Sequence, residues 1–527
     1  MFGTVGIAVL CALFIAVVRR YLRPGLKVPI LLQEEFGTAR DRRLAYCYKS
    51  RELMQKGYDQ VSIFKAVKCS NPLTRYQYHD EIYGLDTNDG IKLVLPVQYL
   101  NELKSNPHLS FQVSIDNDMQ KDYTFFGGAP DNVINAIKGK FNPSLGELSD
   151  SCEDKVKALT SYSKPGVLTP VMHEIVIRNR EQTIGVYQDW TPVKIHDRIL
   201  KLVGYTNARV FHGTAASQSE EWVDASTGYV LSTFDCIRAL KAWPPYLRPF
   251  VHRFIPERTA ISDQWRRARP FVVDSLNRKK ASGGKFLEQP GSMLDYMTSG
   301  KNEEIAYDVE KQLLYQMTLV AVGTVTTFAS IVQILYDLAD NPEYIPILRE
   351  EVQAAERGKD GFLTREAVFE MKKLDSFIKE SQRLHAPDLS TFQRAATADI
   401  TLSSGLFIPK GTKLETPTAA IQVDETIYSN PEKFDGLRFY RDRQKPGEEN
   451  KHLYVSVGLN DLSFGFGRHA CPGRFLGHIN IKLIVSEILL HYDVKLGEGQ
   501  QRPADQEFEA IISPAPDGEI LIKSRLL

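Results

Sequence analysis

The chain has 527 residues, of which 43% are hydrophobic and 25% charged, an ordinary balance for a protein with a sizeable packed core. Lys plus Arg equals Asp plus Glu at 65 each, so the formal net charge is zero and nothing suggests the clustered basic surface of a nucleic-acid binder. Six cysteines (Cys11, Cys47, Cys69, Cys152, Cys236 and Cys471) lack paired spacing, which speaks against a disulfide framework or a cysteine-rich zinc site and for a reducing, cytosol-facing body.

The run Phe2 to Val18 is uncharged and mostly apolar, and Arg19, Arg20 and Arg23 follow it. At about 1.5 Å per residue it nearly crosses a hydrocarbon core of roughly 30 Å. The positive charge follows the run instead of preceding it, the order of an anchor with a cytosolic body and not of a cleaved secretory signal. Pro24, Gly25 and Pro29 then read as a hinge. The expected organisation is an N-terminal transmembrane anchor over 1–20, a Pro-rich hinge over 21–30 and one catalytic domain over 31–527.

The body is expected to be mainly α with a minor β region. Helical periodicity runs through Val193–Phe211, Glu220–Leu240, Glu303–Leu338, Arg365–Leu384 and Leu476–His491. Strand-like alternation is confined to shorter pieces, such as Lys92–Val97, Ile400–Phe407 and Glu519–Lys523. The most linker-like piece, Arg278 to Pro290, is short enough for a surface loop within one domain.

Gln312 to Tyr336 carries no charge and is long enough to span a membrane. Its glutamines, threonines and serine make it too polar for lipid, so a long helix buried in the protein is expected. Further on, Glu380 and Arg383 stand three apart on a helix that Pro387 ends, so they share a face. Alone, such a pair is usually a surface ion pair worth little. Near the C-terminus, Ser463–Gly477 reads SFGFGRHACPGRFLG, a single cysteine among glycines just before a helical run. A thiol near a helix start can be a nucleophile, a redox thiol or a metal ligand, but is more often a buried, inert side chain.

The spacing of Phe464, Gly467, His469, Cys471 and Gly473 resembles the haem-binding loop of the cytochrome P450 family, Phe-x-x-Gly-x-Arg-x-Cys-x-Gly, with His469 in place of the usual Arg. Glu380 and Arg383 resemble the family's Glu-x-x-Arg helix, and Pro431 to Phe439 its segment ending in Arg-Phe, which makes Arg438 the third member of a structural ion-pair network. Val322 to Thr327 resembles the oxygen-activation motif, with Gly323 for close backbone approach, Thr326 as proton relay and Val325 where an acid is usual. Arg394 matches a position that reaches a haem propionate, and Lys138 and Lys140 lie on the corresponding haem-edge helix. Upstream, Ala136–Asp154 and Asp189–Gly213 are similar to helices of fungal enzymes acting on terpenoids and related secondary metabolites.

The resemblance implies a haem-thiolate monooxygenase. Its cofactor would be haem b (iron protoporphyrin IX) on Cys471, and its electrons would come from NADPH through a cytochrome P450 reductase, with cytochrome b5 as an optional second donor. It implies anchorage in the endoplasmic reticulum membrane, no nucleic-acid partner, and a hydrophobic small-molecule substrate such as a terpenoid or polyketide intermediate. Pocket residues are expected from His108–Pro130, Phe234–Pro256, Ala321–Val325 and Pro387–Thr391, among them Phe125, Phe126, Trp243, Tyr246 and Phe250. Two other readings stay open: a haem-thiolate enzyme that rearranges a peroxide or couples rings, which Val325 would suit, and an inactive haem-binding membrane scaffold.

Overall fold

The computed structural model describes residues 26, 28–31, 38–66, 81–142, 168–299 and 306–525. The anchor expected over Phe2–Val18, most of the hinge, and positions 143–154 of the upstream helical match lie outside the described residues.

One helix organises the rest. Val309–Asp340 runs 32 residues, and Asp308 caps its start by accepting a hydrogen bond from Lys311 N at 3.0 Å. Most of its length is buried, including Gln312, Gln316, Thr318 and Gln333. This is the buried long helix expected from its polarity. Helices His196–Phe211, Glu220–Lys241, Pro256–Ala281, Lys372–Leu384 and Arg474–His491 pack around it. One continuous apolar core fills the space between them.

The β region is smaller. Tyr83–Thr87, Gly90–Val94, Lys413–Thr416, Thr391–Ala396 and Leu109–Ser110 form a five-stranded sheet in that order. Only the contact between Gly90–Val94 and Lys413–Thr416 is parallel. A second sheet pairs the C-terminal strand Glu519–Ser524 with Thr191–Lys194 and Tyr492–Lys495.

Several boundaries differ from expectation. The first residues of Val193–Phe211 are strand, because Thr191–Lys194 pairs with the C-terminal strand before the helix starts at His196. Arg365–Leu384 is two helices, broken at Met371. Ile400–Phe407 is a hairpin of two short strands, turning at Gly405 with φ +83°. The Arg278–Pro290 loop begins only after Ala281, where the preceding helix ends. That helix was not legible, since it is rich in charge and carries Pro270 inside it.

Two histidines are locked into this interior as neutral rings. His212 stacks on the fully buried Trp222 at 4.3 Å, and His478 bonds Asp375 at 2.8 Å. Burial pushes both down to about 4 from the ordinary 6.5. The unfolded chain takes up a proton at each below pH 6.5, whereas the folded protein refuses it until about 4. Their contribution to stability is therefore complete above pH 6.5 and lost as the pH falls through that window. Urea unfolding should show roughly 3 kcal/mol lost per histidine between pH 7 and 4. A flat profile over that range would contradict the neutral assignment.

Candidate active site

The ion-pair network comes first because the loop around Cys471 hangs from it. Arg383 grips Glu380 with two parallel bonds of 2.8 Å, from Nε to Oε2 and from Nη2 to Oε1. Arg438 Nε reaches both carboxylate oxygens at 3.2 Å. All three side chains are buried. The remaining guanidinium N–H groups donate to main-chain oxygens: Arg383 to Gln422 at 2.6 Å, and Arg438 to Ser429, Asn430 and Lys433. Gln422 in turn donates from Nε2 to Ser463 Oγ at 2.6 Å, at the entrance to the cysteine loop.

The helix that carries Glu380 also holds the loop through two residues the sequence did not single out. Asp375 accepts from Tyr454 N at 3.0 Å and, on its other oxygen, binds His478 at 2.8 Å and Lys482 at 3.1 Å. It thus ties the chain before the loop to the helix after it. Lys379 donates to Leu453 O at 2.9 Å and pairs with Asp461. A lone Asp or Lys on an amphipathic helix carries no spacing signal that would have revealed either role.

Within the loop, Gly465 and Gly467 adopt φ +75° and +70°, which L side chains rarely tolerate. Gly473 does not; its φ is −86°, and a Cβ there would lie 4.0 Å from the Cys471 sulfur. Cys471 N donates to Phe464 O at 2.8 Å, and Asn142 Nδ2 donates to Pro472 O at 3.1 Å. The Phe464 ring meets Tyr454 edge to face at 5.3 Å. Burial raises the Cys471 thiol, against the lowering effect of the Gly473 and Arg474 backbone N–H groups that open the following helix. Desolvation likewise pushes the buried Cys47 and Cys236 thiols up to about 11, with no helix N-terminus to oppose it. Cys471 is the only accessible thiol among the described residues.

Cationic groups converge beside it. Arg394 is 3% exposed, lies over the Phe392 and Phe111 rings at 4.4 and 5.6 Å, and donates to Gln393 O at 2.8 Å. It has no carboxylate partner among the described residues. Burial, and then the neighbouring Arg468, lower it to about 10. His469 accepts from Arg468 Nε at 3.0 Å and lies 6.1 Å from the Phe111 ring. Burial, with Arg394, Arg468 and Lys138 nearby, lowers it to about 4. Arg394, Arg468 and Lys138 thus supply positive charge here, and their proximity disfavours the protonated form of His469. Arg468 was missed because the family pattern leaves its position unspecified. Lys138 reaches the loop, donating to Arg468 O at 3.0 Å, whereas Lys140 turns away to Ser299 O at 2.6 Å.

On the central helix, Val322 (41%) and Thr326 are exposed although the helix runs through the core. Thr326 Oγ1 donates to Val322 O at 3.2 Å, and Ser330 Oγ donates to Thr326 O at 2.8 Å. Gly323 has a packing reason the sequence did not show: a Cβ there would stand 2.6 Å from the Phe211 ring of the adjacent helix. Trp243, Tyr246 and Phe250, expected in the pocket, are instead 46%, 73% and 69% exposed, in the turn and the short helix Arg248–Val251 that follow Glu220–Lys241. Phe126 is in the core and Phe125 packs on Trp265 at 4.9 Å.

Replacing Glu380 with Ala would leave two buried guanidinium groups unpaired. The cost should be about 3–5 kcal/mol, read as a loss of folded protein in denaturant titration. A variant as stable as the parent would show that the network is not what holds the loop.

Comparison with known proteins bears on the whole of this arrangement. The cytochrome P450 family model matches residues 231–522. The chain is 31% identical to cytochrome P450 monooxygenase braC of Annulohypoxylon truncatum, over 97% of this chain and 95% of that protein. It is 30% identical to monooxygenase AN1598 of Emericella nidulans, covering 86% and 82% of the two chains, and 31% identical to olcJ of Penicillium canescens, covering 85% and 82%. The chain belongs to the cytochrome P450 family of haem-dependent monooxygenases.

Proposed function

We propose that Cys471 would hold the haem iron through its thiolate and that the enzyme oxidises a hydrophobic small molecule, a terpenoid or polyketide intermediate of secondary metabolism. Electrons come from NADPH through a cytochrome P450 reductase. The observation that carries the assignment is the accessible Cys471 thiol, held in a glycine-turned loop beside a buried arginine that has no carboxylate partner among the described residues. An uncompensated buried guanidinium calls for an anion, and haem b brings two propionates. The residues therefore fit the group.

In this reading Phe464, Gly467 and Gly473 shape the loop, while Arg394, Arg468 and Lys138 would hold the propionate edge and His469 would add a ring hydrogen bond. When bound, thiolate-ligated haem supplies the activation of O2 and its insertion into the substrate. The chain's part is to exclude water, orient the guest and time the proton. Thr326 Oγ1 donates to Val322 O, and by rotating off that carbonyl it can turn its proton toward the reacting group while accepting a replacement from the proton carrier. Gly323 serves indirectly, by letting the helices pack closely enough to fix Thr326. With Val325 at the usual acid position, water or another side chain brings the proton to Thr326 in this reading.

The body over 31–527 is the catalytic domain, and Phe2–Val18, followed by the hinge, anchors it in the endoplasmic reticulum membrane. The exposed aromatics Trp243, Tyr246 and Phe250, with Phe254 beside them, support a membrane-facing surface. Val325 also favours a second reading, peroxide rearrangement without reductase.

Both readings can be tested on one reconstituted preparation. Thr326→Ala should lower product formed per NADPH consumed by about ten-fold or more while leaving haem content intact. Unchanged coupling would remove Thr326 from the proton path. Turnover with an organic peroxide and none with NADPH plus reductase would replace the monooxygenase reading by the second one.

A further inference from the structure

Asn207 lies on the helix His196–Phe211 and is 2% exposed. Its Nδ2 donates to Thr324 Oγ1 on the central helix at 3.0 Å, and its Oδ1 accepts from Asn480 Nδ2 at 3.3 Å. Asn480 is itself buried, on the helix Arg474–His491 that follows the cysteine loop. Three side chains therefore join three helices: the one behind Cys471, a middle one, and the one that carries Thr326. Gly323 belongs to the same contact, since a Cβ there would run into the Phe211 ring and stand 3.7 Å from Asn207 Nδ2.

The bond falls on the turn that matters for the reaction. Thr324 and Thr326 stand about 200° apart around the helix axis, so Thr324 is buried while Thr326 is exposed on the opposite face. Thr326 Oγ1 rests on Val322 O in that same turn. At a side-chain radius of about 5.5 Å, a helix rotation of about 20° would carry a hydroxyl about 2 Å. That is enough to take it out of hydrogen-bond reach. Apolar packing is non-directional and tolerates such a slip better than a hydrogen bond does. Stability alone does not call for these amides. Asn480 Oδ1 is buried with no donor among the described residues, a penalty that apolar side chains of similar size would avoid.

We infer that Asn207 is a positioning residue for the oxidation: through Thr324 it fixes the rotation of the central helix, and with it the place of Thr326 Oγ1, and through Asn480 it ties that place to the helix behind Cys471. Asn207 acts through Thr326 and does no chemistry itself. The inference rests on the haem-thiolate reading above and adds to it what holds the proton-bearing hydroxyl in register.

The test needs no substrate. The full-length, haem-loaded protein is reduced and bound to carbon monoxide, and its infrared C–O stretch is recorded together with its thermal midpoint. The variants are Thr326→Val, Thr324→Val, Asn207→Leu, Asn207→Asp and the combination of Asn207→Leu with Thr326→Val. A hydroxyl donating toward the carbon monoxide oxygen lowers the stretch, so Thr326→Val should shift it up. Asn207→Leu should shift it the same way, and so should Thr324→Val, which keeps the side-chain shape and removes only the acceptor. The combined variant should add nothing to Thr326→Val. Asn207→Asp, which keeps an oxygen toward each neighbour, should stay close to wild type. A band unmoved by Thr324→Val and Asn207→Leu, even with a lowered thermal midpoint, overturns the inference and leaves the bridge a packing device. Thr324→Val alone decides this if Asn207→Leu does not fold. A shift from Asn207→Leu that persists in full beside Thr326→Val also overturns it, because the effect then bypasses Thr326. A band that Thr326→Val itself does not move overturns the placement of Thr326 on which the inference depends. A protein that takes up haem but gives no red-shifted carbon monoxide complex overturns the haem-thiolate reading beneath it.

Discussion

Two arginines share one buried carboxylate, and the reaction centre is suspended from that arrangement. Glu380 is fully buried, and its two oxygens receive Arg383, Arg438 and the backbone N–H of Asp435 at 3.0 Å. The triad carries a net positive charge in a dry interior, which would be costly were the spare N–H groups not spent on carbonyl oxygens. Those carbonyls belong to Gln422 and to Ser429–Lys433, so satisfying the charge also fixes two chain segments. The path continues from Gln422 to Ser463 and into the loop of Cys471. Asp375 closes it from the other side through Tyr454 and His478. A network that does no chemistry therefore sets where the sulfur sits.

The same accounting of charge explains the site itself. The interior is nearly self-neutralising: Lys279 with Asp295, Arg180 and His173 with Glu487, and Arg502 with Asp337 all close locally. Among the described residues, Arg394 is a buried cation that lacks an anion, and a propionate of haem would supply one. The departures from the family pattern fall close by. His469 stands where an arginine is usual, with the permanent charge of Arg468 beside it. Val325 removes the usual acid from the central helix, which leaves Thr326 and Ser330 as the hydroxyls on its accessible face.

Much of this was legible in the residues. The cysteine loop, the Glu380–Arg383 spacing and the Arg438 segment are short, rigid patterns whose geometry is dictated locally, and they identify the family. The buried central helix followed from its polarity. What escaped the sequence depends on long-range contact. Asp375 and Tyr454 have no local pattern, and their importance arises only because distant helices bring His478 and Lys482 to them. Arg468 sits at a position the motif leaves open. Gly323 reads as a cofactor-side glycine, yet its lack of a side chain is required by Phe211 on another helix. Trp243, Tyr246 and Phe250 look like pocket aromatics by composition, and only the path of the turn after Lys241 puts them outside.

The most direct test of the central claim is the absorption spectrum of the purified protein, reduced and bound to carbon monoxide, recorded beside that of Cys471→Ser. The account predicts the strongly red-shifted Soret band of a thiolate-ligated haem in the parent and its loss in the variant. A histidine-like band in the parent, or a red-shifted band that survives the substitution, would contradict the assignment of Cys471 as the iron ligand.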